Sequence, residues 1–323
     1  MCIRDRYKSD QWHRFLSGNS RLFHLSPDEP IVEKLIDWLK ARIKTHFPEY
    51  IFPDIDHYRF ISTIDIDQPW AYKYKGWRIL LTLGKAFSQL EFTRIYSILR
   101  VIFGIKADSF DTYQFIKDLH QEYGISPAYF MLLSERLTSI DRNHHPSSKH
   151  YRSLIQSLSE DAVMGIHPSY HSHKDENIFR QEVDMLQEIT GKNITASRQH
   201  FLIMTMPDTY RRLLKAGIND DYTMGFADRT GYRAGTGHTF FWYDIAHETA
   251  THLRIHPFIA MDATMKNYQE LSPEQASEKI REYIGTAKKN NSPFTILWHN
   301  SSLDEDSIWK GWKKVYENSF KVS

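Results

Sequence analysis

Apolar residues recur at three- and four-residue spacing through PIVEKLIDWLKARIKTHF (30–47), which predicts a helix. The next segment, DHYRFISTIDID (56–67), reads as a strand that ends in acidic residues. A longer apolar stretch, WRILLTLGKAFSQLEFTRIYSILRVIFG (77–104), has helical spacing and predicts two helices. Arg78, Lys85, Arg94 and Arg100 interrupt it too often for a membrane span. An inserted helical pair is the simpler reading, although such a basic amphipathic surface could touch a membrane or a partner.

Beyond residue 110 the pattern alternates. The helix signal DTYQFIKDLHQEYG precedes the strand signal PAYFMLL, and HYRSLIQSLSE precedes AVMGIHP. In the same way ENIFRQEVDMLQEITG leads into NITASRQHF, and PDTYRRLLKAG leads into DYTMGF. SPEQASEKIREYIGTAKKN has a Ser N-cap and a Pro in its first turn, and it leads into PFTILWH. Strand–helix alternation in one run predicts a parallel sheet with helices outside. About seven strands follow, one of them open between 239 and 259, which predicts an incomplete, distorted α/β barrel. The division expected is a helical N-terminal remnant over 1–54 and a barrel domain over 55–323.

Composition narrows the function classes. Lys plus Arg number 41 against 40 Asp plus Glu in the 323 residues, so no overall basic field points to nucleic acid. Aromatic residues make up 14% of the chain, enough to line a sugar cleft or to fill a large core. The single cysteine, Cys2, excludes an internal disulfide framework and a multi-cysteine zinc site, and the expectation leans to the cytoplasm. No signal-peptide pattern is visible in MCIRDRYKSDQWHRF. MCIRDR resembles translated adapter sequence, so a missing N-terminus, with any targeting signal, is expected.

In a barrel of this kind the reactive groups gather at the C-terminal strand ends. Those ends carry Asp65 and Asp67, His167, the Arg198 region, Asp220 to Asp228, and His299. In GIHPSYHSH (165–173), His167 and His171 stand four apart. An Asp with two His makes a three-ligand site with a coordination position left open for water. A second Asp beside it could take a proton, and an imidazole opposite could give one. Among 17 histidines, His144, His145, His173, His238, His247, His252 and His256 read first as surface, loop or core residues. His173 and His200 lie close to proposed strand ends, where a substrate contact is the alternative. HNSSLDED, after His299, reads as a loop capping the last helix.

These motifs, over roughly residues 55–320, resemble those of the polysaccharide deacetylases with a NodB-homology domain. TIDID matches the first motif, and the resemblance implies Asp65 as catalytic base and Asp67 as metal ligand. His167 and His171 match the His-x-x-x-His motif and would complete the ligand set around a divalent metal, zinc first. Arg198 in SRQHF would hold the base, and Leu297 and His299 in ILWHN would supply the general acid. There are departures: Pro168 follows the first histidine of the pair, and no Pro–Gly loop follows Arg198. Asp220, Asp221 and Asp228 are all candidates for the acid behind His299, and GYRAGT (231–236) resembles part of the Arg/Gly motif out of order. The implied function is removal of an acetyl group from an amino sugar or polysaccharide. The alternatives are a glycan-binding barrel without turnover and a related hydrolase of a non-sugar C–N bond.

Overall fold

The computed structural model describes residues 9–12, 14–21, 27–53 and 57–323. Residues 1–8, on which the reading of MCIRDR falls, lie outside the described residues. The strands are β1 (Phe60–Ile66), β2 (Ala128–Met131), β3 (Val163–Ile166), β4 (Ala196–Ser197), β5 (Asp220–Asp221), β6 (Phe240–Asp244), β7 (Thr249–Ile255), β8 (Ala260–Met261) and β9 (Phe294–His299). They form one sheet in the order β6-β7-β5-β4-β3-β2-β1-β9-β8. All neighbours are parallel except the β6–β7 hairpin. The sheet is not closed, because its two edge strands, β6 and β8, do not pair. It is an incomplete barrel, as expected.

The open region between 239 and 259 resolves into the β6–β7 hairpin, and β8 follows from 260. One chain therefore spans the seam: β7 pairs with β5, and four residues later β8 pairs with β9. NITASRQHF and DYTMGF yield only two-residue ladders. After β4 the chain turns into a 3-10 segment at His200–Leu202. After β5 the Asp221 carboxylate curls the chain by accepting from the Thr223 backbone and hydroxyl.

The helices are α1 (Ile31–His46), α2 (Arg78–Ser88), α3 (Phe92–Ile102), α4 (Tyr113–Tyr123), α5 (Lys149–Ser159), α6 (Glu176–Thr190), α7 (Asp208–Lys215), α8 (Pro273–Lys289) and α9 (Trp312–Lys321). Local chemistry sets several ends. Asp175 caps α6 by accepting from the Asn177 and Ile178 amides, and left-handed Gly191 closes it. Ser272 and Gln275 form a reciprocal capping box on α8, with Pro273 in its first turn. No Ser or Asp of HNSSLDED is the N-cap of the last helix, but its Glu305 accepts from the amide of the N-cap residue Gly311. Asn300–Leu303 is a 3-10 turn, and α9 starts after left-handed Gly311 without a side-chain cap. Asn300 is fully buried and donates to the Gln68 and Phe110 carbonyls, so the segment fastens β9 to the loop after β1.

Side-chain parity on the central strands decides what faces the barrel interior. Ile64, Ile66, Tyr129, Met131, Ile296 and Trp298 point outward into the main core shared with the helices. The alternate positions Phe130, Ala196 and Leu297 belong to small interior clusters. Thr63 and Asp65 on β1 share that inward parity, as do Asp67 just after β1, His167 after β3, Arg198 after β4 and His299 on β9. The β1/β9 register sets Asp65 directly beside His299.

α2 and α3 stand as a hairpin with Leu80, Leu81, Phe87, Leu90 and Tyr96 exposed. No helix among the described residues is long and apolar enough to cross a membrane. The hairpin's base is clamped by Asp108, whose buried carboxylate accepts from the backbone amides of Ala71, Tyr72 and Lys73. At the N-terminal side, Glu33 of α1 accepts from Thr236 and from the Gly237 amide, which fixes α1 to the barrel wall.

Gly165 on β3 leaves room for the Phe130 ring inside the barrel: a Cβ there would fall 2.5 Å from that ring. Gly165→Ala is expected to lower stability by about 1–3 kcal/mol through overpacking. A thermal melt followed by circular dichroism checks this, and an unchanged midpoint would mean that the ring relocates freely.

Candidate metal centre

Asp67, His167 and His200 meet at the C-terminal end of the barrel, their ligand atoms all within 4.8 Å of one another. Two members were expected; the third was not. His171 stands instead in a separate cavity of about 340 Å³, with Ser169, Asp175 and Glu182. The reason is local: residues after His167 form turns rather than a helix, so a four-residue spacing does not put the two rings on one face. His200 arrives by the rule that places Asp67. Gln199 is extended, so His200 lies on the same side of the chain as Arg198, as Asp67 does with Asp65.

Both histidines are held so that Nε2 faces the cluster. His167 Nδ1 donates to the Arg198 carbonyl at 2.6 Å, and His200 Nδ1 lies 3.0 Å from Asp141 Oδ1. With Nδ1 carrying the proton, each Nε2 presents a lone pair. His167 Nε2 then lies 3.2 Å from Asp67 Oδ1, and His200 Nε2 lies 3.6 Å from Asp67 Oδ2. Asp67 Oδ1 is buried without a hydrogen-bond partner. Lone pairs facing each other at these distances call for a cation or a proton between them. One carboxylate and two imidazoles suit a divalent ion of borderline softness, so the residues present fit such an ion.

The other groups flank this cluster. Asp65 is 2% exposed; its Oδ1 accepts from Arg198 at 2.8 Å, and its Oδ2 lies 3.7 Å from His167 Nε2. Arg198 is wholly buried, donates also to Thr63 and to the Tyr222 carbonyl, and sits 4.4 Å from the Phe130 ring centre. His299 approaches from the opposite side, its Nε2 3.8 Å from Asp67 Oδ2. Its Nδ1 is 2.8 Å from Asp262 Oδ1, while Asp262 Oδ2 accepts the His299 backbone amide.

Asp262 was not among the acids expected behind His299. Asp220 pairs with Arg254 and His256, Asp221 accepts from Thr223, and Asp228 holds Ser17. The signal was present: PFIAMD is an apolar run ending in an acid, like TIDID. Arg198, not Arg233 of GYRAGT, reaches Asp65; Arg233 donates to the Gly225 carbonyl.

Burial opposes charge on the His200 and His299 imidazoles, but the carboxylates outweigh it. Asp67 and Asp141 push His200 up to about 9, and Asp262, with smaller help from Asp67 and Asp65, pushes His299 up to about 10. For Asp67, burial is outweighed by its imidazole neighbours, which hold its carboxyl well below the usual range.

No protein-family model and no curated protein matches the chain. Solved structures do. A protein described as a "putative polysaccharide deacetylase", from Mycobacterium smegmatis, is 14% identical, with 84% of this chain and 85% of that chain covered and a TM-score of 0.50. The fold is that of the polysaccharide deacetylases. A family 4 carbohydrate esterase from Streptomyces lividans, solved with acetate, is 8% identical over 82% of this chain and 88% of its own, at a TM-score of 0.39. A pseudoenzyme of the same esterase family from Bacillus anthracis is 8% identical over 81% and 61%, at 0.38.

His200→Ala is expected to remove most of the bound metal, whereas His171→Ala leaves it in place. Asp141→Asn should weaken binding roughly ten- to a hundredfold by loosening His200. Elemental analysis after dialysis reads all three, and metal loss in His171→Ala alone would overturn the assignment. Because His200 is protonated below about pH 9 in the metal-free protein, an incoming ion must displace that proton. Affinity should therefore fall as pH drops through the neutral range. Calorimetric titrations in two buffers of different ionisation heat would reveal the released proton.

Proposed function

We propose that this protein is a metal-dependent hydrolase that removes an acetyl group from an amino sugar or polysaccharide. The observation that carries the reading is the placement of two differently wired groups across one ligand cluster. Asp65, tied to Arg198, has a free carboxylate oxygen on one side; His299, backed by Asp262, has a free ring nitrogen on the other. A divalent ion held by Asp67, His167 and His200, most simply zinc, would supply Lewis acidity to water and to the acyl carbonyl.

Asp65 is the general base. Arg198 occupies its Oδ1 and fixes its rotamer, so Oδ2 is the atom that receives a proton. His299 is the general acid. Asp262 keeps its imidazolium charged, and an amine leaves an acyl carbon only if protonated as the bond breaks. The base acts ionised and the acid acts protonated, which gives a bell-shaped dependence of rate on pH. The fold similarity supports this chemistry, and so does retention of Asp65, which a metal-binding site alone does not need.

Asp65→Asn should keep the metal and lose roughly 10²–10⁴-fold in turnover, since an amide does not accept the proton. Acetate release from N-acetylated glycans, with metal content measured in parallel, reads both. Wild-type turnover in this variant would remove Asp65 as the base. A wild-type protein that binds metal and glycans without releasing acetate would instead be a binding protein. His299→Ala should slow N-acetyl cleavage far more than cleavage of an activated aryl acetate, whose leaving group needs little protonation. Equal losses on both substrates would make His299 a positioning residue.

A further inference from the structure

Beside the metal cluster lies a much larger cleft, of about 1160 Å³, between the α2–α3 hairpin and the 134–148 loop. Its charged lining is Lys75, Arg78, Lys85, Arg94 and Arg142, against a single acid, Glu135. Arg94 pairs with Glu91, and the Asp108 carboxylate behind Lys75 is taken up by four backbone amides. A chain of nearly balanced charge has thus gathered most of one sign on the walls of one cavity. Such clefts focus a positive potential and concentrate anions.

The cleft borders the centre at two pairs of chain neighbours. Asp67 belongs to the metal cluster and Gln68 lines the cleft. Asp141 holds His200 and Arg142 lines the cleft. A ligand seated there lies against the segments that carry Asp67 and Asp141.

Resting on the deacetylase reading above, we propose that this cleft binds a phosphate ester carried by the substrate, so that the acetylated sugar reaches the metal already anchored by its charge. Phosphate suits the lining better than a carboxylate does. It carries up to two charges and three acceptor oxygens, which match the forked donors of Arg78 and Arg142 and the point charges of Lys75 and Lys85. Lys75 gives further support. Burial, reinforced by Arg78 and Arg142 and only partly offset by Asp108, lowers its ammonium to about 8, a group short of a counter-ion.

The test uses Lys85→Glu/Arg142→Glu, two exposed positions outside the ligand cluster. Calorimetry compares inorganic phosphate, N-acetylglucosamine and its 1-phosphate on wild type and variant, each zinc-loaded and metal-stripped. Wild type should bind the 1-phosphate at least about tenfold more tightly than the neutral sugar, with or without zinc, and more weakly as salt rises. The variant should lose that preference and bind inorganic phosphate more weakly. An equal affinity for both sugars, a preference retained in the variant, or one that disappears with zinc would each overturn the proposal. Acetate release separates it from the reading beneath it. Phosphosugar binding as described with no acetate released would sink the deacetylase and leave the cleft; neutral and phosphorylated sugars deacetylated equally fast would do the reverse.

Discussion

One guanidinium organises the C-terminal end of this barrel. Arg198 has no access to water, so its charge depends on what surrounds it: the Asp65 carboxylate, the Thr63 hydroxyl, the Tyr222 carbonyl and the Phe130 ring. Breaking a buried ion pair by removing one partner costs about 3–5 kcal/mol, because the other charge is left uncompensated. That penalty locks β1 to β4 across the barrel interior. It also fixes both ends of the cluster, since Arg198 orients Asp65 with its side chain and His167 with its own carbonyl.

Charge balance explains why so many acids tolerate each other here. Asp65, Asp67, Asp141 and Asp262 converge against one guanidinium, leaving three surplus negative charges when the imidazoles are neutral. A divalent ion together with one imidazolium would cancel them. His299, with a carboxylate behind it and no place in the ligand triad, is the imidazole best placed to carry that charge.

The fold was legible wherever apolar periodicity ran long enough to separate helix from strand. It was least legible between 239 and 259, where a hairpin and a seam-crossing chain share one short stretch and periodicity alone does not divide them. At the centre, Asp65, Asp67, His167, Arg198 and His299 could be found because each ends a buried strand. His171 was picked by a spacing that matters only on a helix, and the chain is not helical there. His200 and Asp262 were within reach of the strand-end rule, applied two residues past Arg198 and to PFIAMD. Asp141 had no such signal. It comes from a loop, and only the folded chain brings it to His200.

The clamp at the base of the α2–α3 hairpin has an evolutionary side. Asp108 grips the backbone of residues 71–73, so the chain leaves and re-enters the barrel at nearly the same point. Besides that carboxylate, the segment is tied to the scaffold near its two ends, by the Tyr74 ring stacked on His150 and by Lys106 paired with Asp306. Loop closure grows only slowly with length, so a segment sewn in this way can be lengthened, shortened or exchanged at small thermodynamic cost. The hairpin can therefore change in length or sequence while the residues that meet at Asp67 stay where they are.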